Sequence, residues 1–144
     1  MVVLRYIQPE KVGRIWPEVS PLLQRAAEHG IGEHTPATMF CMIEEGRAQL
    51  WVGQEYGEVV HAIVTHLVRY PTGLAVCEFM ACGGERVDEW ARIHAAAIEH
   101  WALKNGCDAC EMIGRPGWQK YLPDYKLRHV RLVKDLRNES QKCA

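Results

Sequence analysis

The sequence predicts one α/β (α+β) domain on a mixed central sheet, and three stretches carry that prediction. The first runs from Leu74 to Ile113. It reads as an apolar run (LAVCEFMACGG), a long helix (ERVDEWARIHAAAIEHWALKNG) and a second apolar run (CDACEMIG). Val87, Trp90, Ala91, His94, Ala97, Ile98, Trp101 and Ala102 form one stripe at helical spacing, with Glu85, Glu89, Arg92 and Glu99 largely off it. Strand, helix, strand is the βαβ pattern, so Leu74 to Phe79 and Cys107 to Ile113 are expected to pair in parallel. The second stretch is a set of three strands joined by short turns, which predicts an antiparallel meander. The third is a pair of amphipathic segments near the N-terminus, which predicts two helices.

Taken in order, Met1 to Ile7 reads as a first strand that Pro9 ends. A first helix is expected to start near Trp16-Pro17, with Val19, Leu22, Leu23 and Ala26 as its apolar side and His29-Gly30 as its end. Thr35-Pro36 reads as an N-cap and first-position proline for a second helix carrying Met39, Phe40, Met42 and Ile43, which Gly46 stops. Ala48 to Val52 is a strand, Gly53 to Gly57 a turn, and Glu58 to Val68 a longer, β-branched strand. Tyr70-Pro71-Thr72-Gly73 turns the chain into the strand led by Leu74. Asn105-Gly106 closes the long helix, with Lys104 suited to its last turn. Between Gly117 and Leu122 there is room only for a short helix, because Pro123 breaks it. Lys126 to Val133 alternates well and is expected to be a last strand, leaving residues 134–144 as a polar tail.

Composition limits the function classes. A chain of 144 residues fits one domain, residues 1–144, and a formal charge of -1 shows no general attraction to nucleic acid or to an anionic membrane. Arg5, Glu10 and Lys11 interrupt the early apolar residues, no 18-residue apolar run exists, and a cytoplasmic protein is expected. Cys107-x-x-Cys110 resembles half of a metal site. Residues three apart on a strand face opposite ways and no second pair exists, so no metal is expected. Cys82 sits beside Gly83-Gly84 at a helix entrance, a place where a thiol pKa can be lowered.

This layout resembles the GNAT acetyltransferase superfamily, whose members move an acyl group from acyl coenzyme A to an amine. The resemblance covers nearly the whole chain. Glu99, Ala102 and Gly106 match the pattern in which the family's long helix often ends, and Gly117 to Tyr125 is similar to its late tyrosine-containing helix. The phrases GRPGWQKYL and KDL are also similar to small GNAT-like proteins of phages and prophages. What the family implies is a GNAT-like sheet with a splayed parallel pair, Cys77 to Cys82 against Ala109 to Gly114, that takes the pantetheine arm of acetyl-CoA or another acyl-CoA. It also implies a final short helix and strand.

The family's pyrophosphate loop, patterned gln-or-arg, x, x, gly, x, gly-or-ala, falls on Arg86 to Ala91. Arg86 and Ala91 match, but Glu89 replaces the inner glycine and Asp88 adds a second carboxylate, which opposes a pyrophosphate. A shifted cradle at Cys82-Gly83-Gly84-Glu85-Arg86 is the alternative, and a plain strand-to-helix turn is the other reading. Cofactor-binding candidates are therefore Met80, Ala81, Cys82, Gly83, Gly84, Arg86 and Val87. Arg115 joins them, just past the end of a parallel strand, where a guanidinium can hold a phosphate or cap a carbonyl.

Acyl transfer needs an amine deprotonated and a thiolate protonated. By resemblance, Glu78 serves the first need and Tyr121 the second, with His66 a further candidate base. Each has a plain reading as well: a solvent-facing or arginine-paired glutamate, a packed aromatic, a strand histidine. If Glu78 and Glu111 share a face, the cleft is acidic and suited to an amine. Besides an unrelated α+β protein that binds another anionic ligand at the Gly83-Gly84 turn, two functions stay open, an N-acyltransferase acting on a small amine or protein amine, and a catalytically inactive GNAT-like phage or prophage scaffold that binds a protein partner. The first belongs in the cytoplasm, the second in host cytoplasm or virion. Neither implies nucleic acid or membrane. A homodimer fits either one, since Trp16 and Trp118 read as core or as interface residues.

Overall fold

The computed structural model describes residues 1–137. Its order is β1 (Val3–Ile7), a 3-10 turn (Pro9–Lys11), α1 (Val12–Ala27), α2 (Pro36–Glu44), β2 (Gln49–Glu55), β3 (Glu58–Arg69), β4 (Ala75–Gly84), α3 (Val87–Lys104), β5 (Ala109–Met112) and a second 3-10 turn (Pro116–Lys120). The strands lie in one sheet in sequence order, β1 to β5. β1 through β4 are antiparallel, and β4 and β5 are parallel as the βαβ pattern predicts.

Two cores flank the sheet. On one face Val12, Val19, Leu22 and Leu23 of α1 and Met39 and Ile43 of α2 pack on Leu50, Val52, Ala62 and Val64. On the other, Trp90, Ala91, Ile98 and Ala102 of α3 pack on Trp51, Ile63, Cys77 and Phe79. Period-two alternation along each strand sends neighbours to opposite cores. Trp16 packs edge-on to Phe40 at 5.0 Å, and Trp118 joins the α3-side core. Both pack within the chain and remain partly exposed.

Several sequence expectations are corrected. Helix α1 starts at Val12, ahead of Trp16-Pro17, and holds Pro17 and Pro21 inside it. The two prolines are four apart and both exposed, so the carbonyls they leave unbonded face water, which satisfies them. Gly53 is part of β2, and the turn is Tyr56-Gly57. A Cβ on Gly53 would run into the His61 ring, so this glycine makes room for a core side chain. On α3 the buried stripe takes Ala95 in place of Ala97, which is exposed.

Gly83 and Gly84 are not a loop. They are the end of β4, paired with Ala62 and His61. A Cβ on Gly83 would strike the backbone carbonyl of Leu22, and one on Gly84 would lie 2.6 Å from the Val60 carbonyl oxygen. The pair allows α1 and β3 to close onto the strand end, which needs no ligand to explain it. Lys126 to Val133 is not a strand. β5 has only four residues. Tyr125 is tied to Glu99 of α3 (2.8 Å). Beyond it, Arg131 reaches Glu33 (2.7 Å) and Arg137 reaches the Ile31 carbonyl (2.8 Å). Alternation alone cannot make a strand without an edge in reach. The polar tail predicted for residues 134–144 falls largely on residues 138–144, outside the described residues.

One buried polar chain joins β3, α3 and β1. The Val2 carbonyl accepts from His94 Nε2 (3.1 Å), and His94 Nδ1 lies 2.7 Å from His61 Nε2. A carbonyl only accepts, so His94 carries its proton on Nε2 and His61 must donate to its Nδ1. This leaves His61 Nδ1 as a buried lone pair with no partner, under a stacked Trp90 ring at 3.8 Å. Burial, and then the neighbouring His94, pushes the His61 pKa down to about 3.

Two outcomes test this packing. The unfolded chain protonates His61 below its ordinary 6.5, whereas the folded chain holds off to about 3, so stability falls with pH across that window. Urea denaturation should show stability falling by about 1.2 kcal/mol as the pH is lowered from 6 to 5, and a flat profile would contradict the buried neutral pair. Gly83→Ala should cost about 2 kcal/mol or more, since backbone rather than a side chain must move. A wild-type melting temperature for this variant would contradict the close α1 approach.

Candidate functional site

β4 and β5 pair over four rungs only, Val76–Ala109 to Phe79–Met112. Past Phe79, β4 continues to Gly84 along β3, while β5 ends at Met112. The pairing of β3 with β4 also skips Met80, since Val64 faces Ala81 and Thr65 faces Phe79. A bulge twists and bends its strand. The result is a wedge that opens beyond Phe79 and Met112. Its α3 side is lined by Phe79, Cys82, Trp90, Met112, Trp118 and Leu122, which leave about 10 Å³ of free space.

At the apex, three strands place three polar side chains side by side. His66 faces Glu78, and Glu78 faces Glu111. Cys77 and Phe79 point into the α3-side core, so Glu78 points to the α1–α2 face. His66 Nε2 lies 2.9 Å from Glu78 Oε1, with side-chain exposures of 24% and 17%. This row is reachable yet shielded. The hydrogen bond from His66 holds the Glu78 carboxyl below its ordinary range against the effect of burial, with further help from Glu111, His66 charge and His34. Glu111 is pushed the other way, first by its hydrogen bond to Glu78 and then by burial and the Glu78 charge. Of the two, Glu78 is the one that ionises first. His34 comes from the α1–α2 connection, which Arg131 and Arg137 pin at Glu33 and Ile31. The C-terminal segment therefore rims this face.

The other predicted residues are placed as follows. His61 lies on the opposite face from His66, inside the α3 core. Met80 and Ala81 pack toward the α1–α2 core and Cys82 toward α3. Burial raises the Cys82 thiol to about 12, the reverse of the lowering expected at a helix entrance, because β4 is still a strand there. Tyr121 follows the late 3-10 turn and packs against Trp118 (6.1 Å), with Lys120 Nζ 5.1 Å above its ring. Tyr125 was missed by the sequence reading as a structural anchor. It packs on Phe79 at 6.4 Å, and burial first, then Glu99, raises its hydroxyl pKa. Arg115 is exposed at the start of the 3-10 turn, and its carbonyl accepts from Trp118 (3.1 Å). Cys107 and Cys110 share the α3-side core, contrary to the opposite facing expected, because Cys107 precedes the strand.

Arg86 is the main electrostatic finding. It sits at the N-cap of α3 in the left-handed region (φ 58). Its guanidinium contacts Glu55 at 2.5 Å and Glu89 at 2.6 Å. Glu55 also holds the N-terminal ammonium at 2.6 Å, and Arg86 first, then that ammonium, pull its carboxyl down to about 2. The one cation of the expected cradle is therefore matched by two carboxylates. An open cleft of about 520 Å³ lies beside it, between Leu22 and Arg25 of α1 and the β2–β3 hairpin.

No family model matches the chain, and no curated protein matches it. Solved structures do. A ribosomal-protein-alanine N-acetyltransferase from Brucella melitensis biovar Abortus 2308 has a TM-score of 0.63 and 14% identity over 94% of this chain and 99% of its own. A predicted acetyltransferase from Clostridium acetobutylicum, solved with acetyl-CoA, has a TM-score of 0.65 and 10% identity over 96% and 98%. An aminoglycoside acetyltransferase from an uncultured soil metagenomic sample has a TM-score of 0.66 and 11% identity over 94% and 97%. The chain has the GNAT acetyltransferase fold over most of its length. The phage resemblance gains no support from these neighbours. Among the described residues no helix is long and apolar enough to cross a membrane.

If Glu55 and Glu89 neutralise Arg86, releasing it should strengthen phosphate binding. Glu89→Gln should tighten binding of coenzyme A roughly tenfold, about 1.4 kcal/mol, measured by calorimetry. Unchanged or weaker binding would show that Arg86 faces away from the ligand.

Proposed function

We propose that this GNAT-fold chain is an acyl-CoA-dependent N-acyltransferase whose acceptor is a cationic amine. The observation that carries this reading is the row His66–Glu78–Glu111 at the apex of a splayed strand pair. The acetyl-CoA complex of the Clostridium acetobutylicum neighbour supports the cofactor class.

The fit to acyl-CoA is good for one end of the molecule and poor for the other. β4 from Met80 to Gly84 has no β5 partner, and such an edge offers amides and carbonyls to an extended amide-bearing arm. Met80, Ala81 and Cys82 would hold that arm, with Trp118 and Met112 moving from the wedge. For the diphosphate the chain offers the first amides of α3, at Val87 and Asp88, and the compensated Arg86. Gly83 and Gly84 serve packing, and exposed Arg115 would be the cation for the outer phosphate. When bound, the group supplies an activated thioester.

The chain's own residues prepare the amine. An incoming ammonium is attracted by Glu78 and Glu111. Glu78, when ionised, accepts from Nε2–H of His66, and this hydrogen bond would leave Nδ1 as the proton acceptor. His66 takes the ammonium proton and Glu78 stabilises the resulting imidazolium. Tyr121, packed beside the Trp118 that lines the wedge, would serve the departing thiolate. The second reading, a partner-binding scaffold, is favoured by the filled wedge and the neutralised Arg86.

Titration with acetyl-CoA beside desulfo-CoA separates the two. Saturable micromolar binding of both is expected, and no heat at millimolar ligand would sink the acyltransferase reading. With a working amine, Glu78→Gln and His66→Asn should each lower kcat by about 10² to 10⁴ with little change in acetyl-CoA affinity. Wild-type activity in both variants would remove the dyad from the mechanism.

A further inference from the structure

On the face opposite the acidic row, the same strands bring two thiols together. Cys77 of β4 and Cys110 of β5 are register partners, one rung before Glu78 and Glu111. Both belong to the α3-side core. Cys77 is fully buried and Cys110 only partly. We propose that Cys77 and Cys110 are a redox-active pair that closes to a disulfide when the protein meets a hydroperoxide, locking the strands just below the point where they diverge.

The geometry favours this pair over the other thiols among the described residues. Adjacent strands lie about 4.8 Å apart, inside the Cα range a disulfide accepts. Side-by-side Cβ atoms at that spacing are slightly wider than the roughly 3.5–4.5 Å a relaxed bridge prefers, so the bond forms with some strain and is readily reduced. β5 is an edge strand of four residues and can take up the shift. Each thiol is the largest influence on the other's proton. Cys110 is favoured as thiolate by the Cys77 S–H, and Cys77 holds its proton for the same reason. The accessible sulfur is thus the nucleophile and the buried one resolves it. Cys107 is buried ahead of β5, Cys82 lies near the far end of β4, and Cys41 is exposed on α2.

The chemistry balances. Cys110 thiolate attacks one peroxide oxygen, forming S–O, breaking O–O and releasing hydroxide. Cys77 then gives up its proton and attacks that sulfur. The S–S bond forms, S–O breaks, and water leaves. The released hydroxide takes up the proton that Cys110 had lost, so two thiols are oxidised by two electrons and hydrogen peroxide is reduced to two waters.

The test uses the intact protein, treated with hydrogen peroxide under native conditions, quenched with N-ethylmaleimide after denaturation and mapped by mass spectrometry. The expected result is loss of two alkylation sites, one cross-linked peptide pair joining Cys77 to Cys110, and full reversal by dithiothreitol. Cys107→Ser should keep the link and Cys110→Ser should lose it. Amide exchange of β5 should slow in the oxidised protein and recover on reduction. Wild-type mapping decides the matter even if a variant fails to fold. Alkylation of both Cys77 and Cys110 after peroxide, or a link from Cys110 to Cys107, overturns the proposal.

Discussion

The structure depends on where one ladder stops. β4 and β5 are hydrogen-bonded over four rungs, and the strands then part because β5 ends while β4 follows β3. Parallel pairing needs a crossover, and α3 supplies it by laying Trp90, Ile98 and Ala102 on the sheet. The bulge at Met80 adds a bend at the point of parting. Everything of chemical interest sits around that apex. The carboxylate pair is on one face, the thiol pair on the other, and the unpaired edge of β4 lies just beyond.

The apex is also where charge is least balanced. Glu78 and Glu111 share one rung, and two carboxylates so placed do not ionise together easily. His66 resolves the conflict on one side by bonding to Glu78, and Glu111 carries the strain as a raised pKa. An acceptor ammonium would relieve it. The α3 N-cap shows the opposite balance. Arg86 is bound by Glu55 and Glu89, and the N-terminal ammonium completes the group. That arrangement anchors β2 to the start of α3. The residue that pattern matching assigns to a phosphate is also a structural clamp, and one side chain cannot fully serve both roles.

Much of this was legible in the sequence. The meander, the crossover helix, the Thr35-Pro36 cap, the Tyr70–Gly73 turn and the Gly106 stop each rest on local chemistry, since a few adjacent residues set backbone angles and buried faces. The parallel pair followed from element order. Opposite facing of His61 and His66 followed from strand periodicity alone. The prolines of α1 pointed to a later start for that helix, but both are exposed and the helix carries them in its interior.

Register and partners were decided only by the tertiary structure. No local pattern says that Glu78 faces Glu111 and His66, because one slipped residue reverses a strand's faces. Gly83-Gly84 reads as a ligand loop in one dimension and is a contact surface for α1 and β3 in three. Lys126 to Val133 has a strand's alternation, but pairing needs a neighbour, and the chain is drawn to Glu33 and Ile31 instead. The sequence by itself determined which segments become strands and helices and which faces they bury, because those depend on neighbours within one turn or one pleat. The structure decided which charges meet, because that depends on residues such as Glu55, Arg86 and the N-terminus brought together from across the chain.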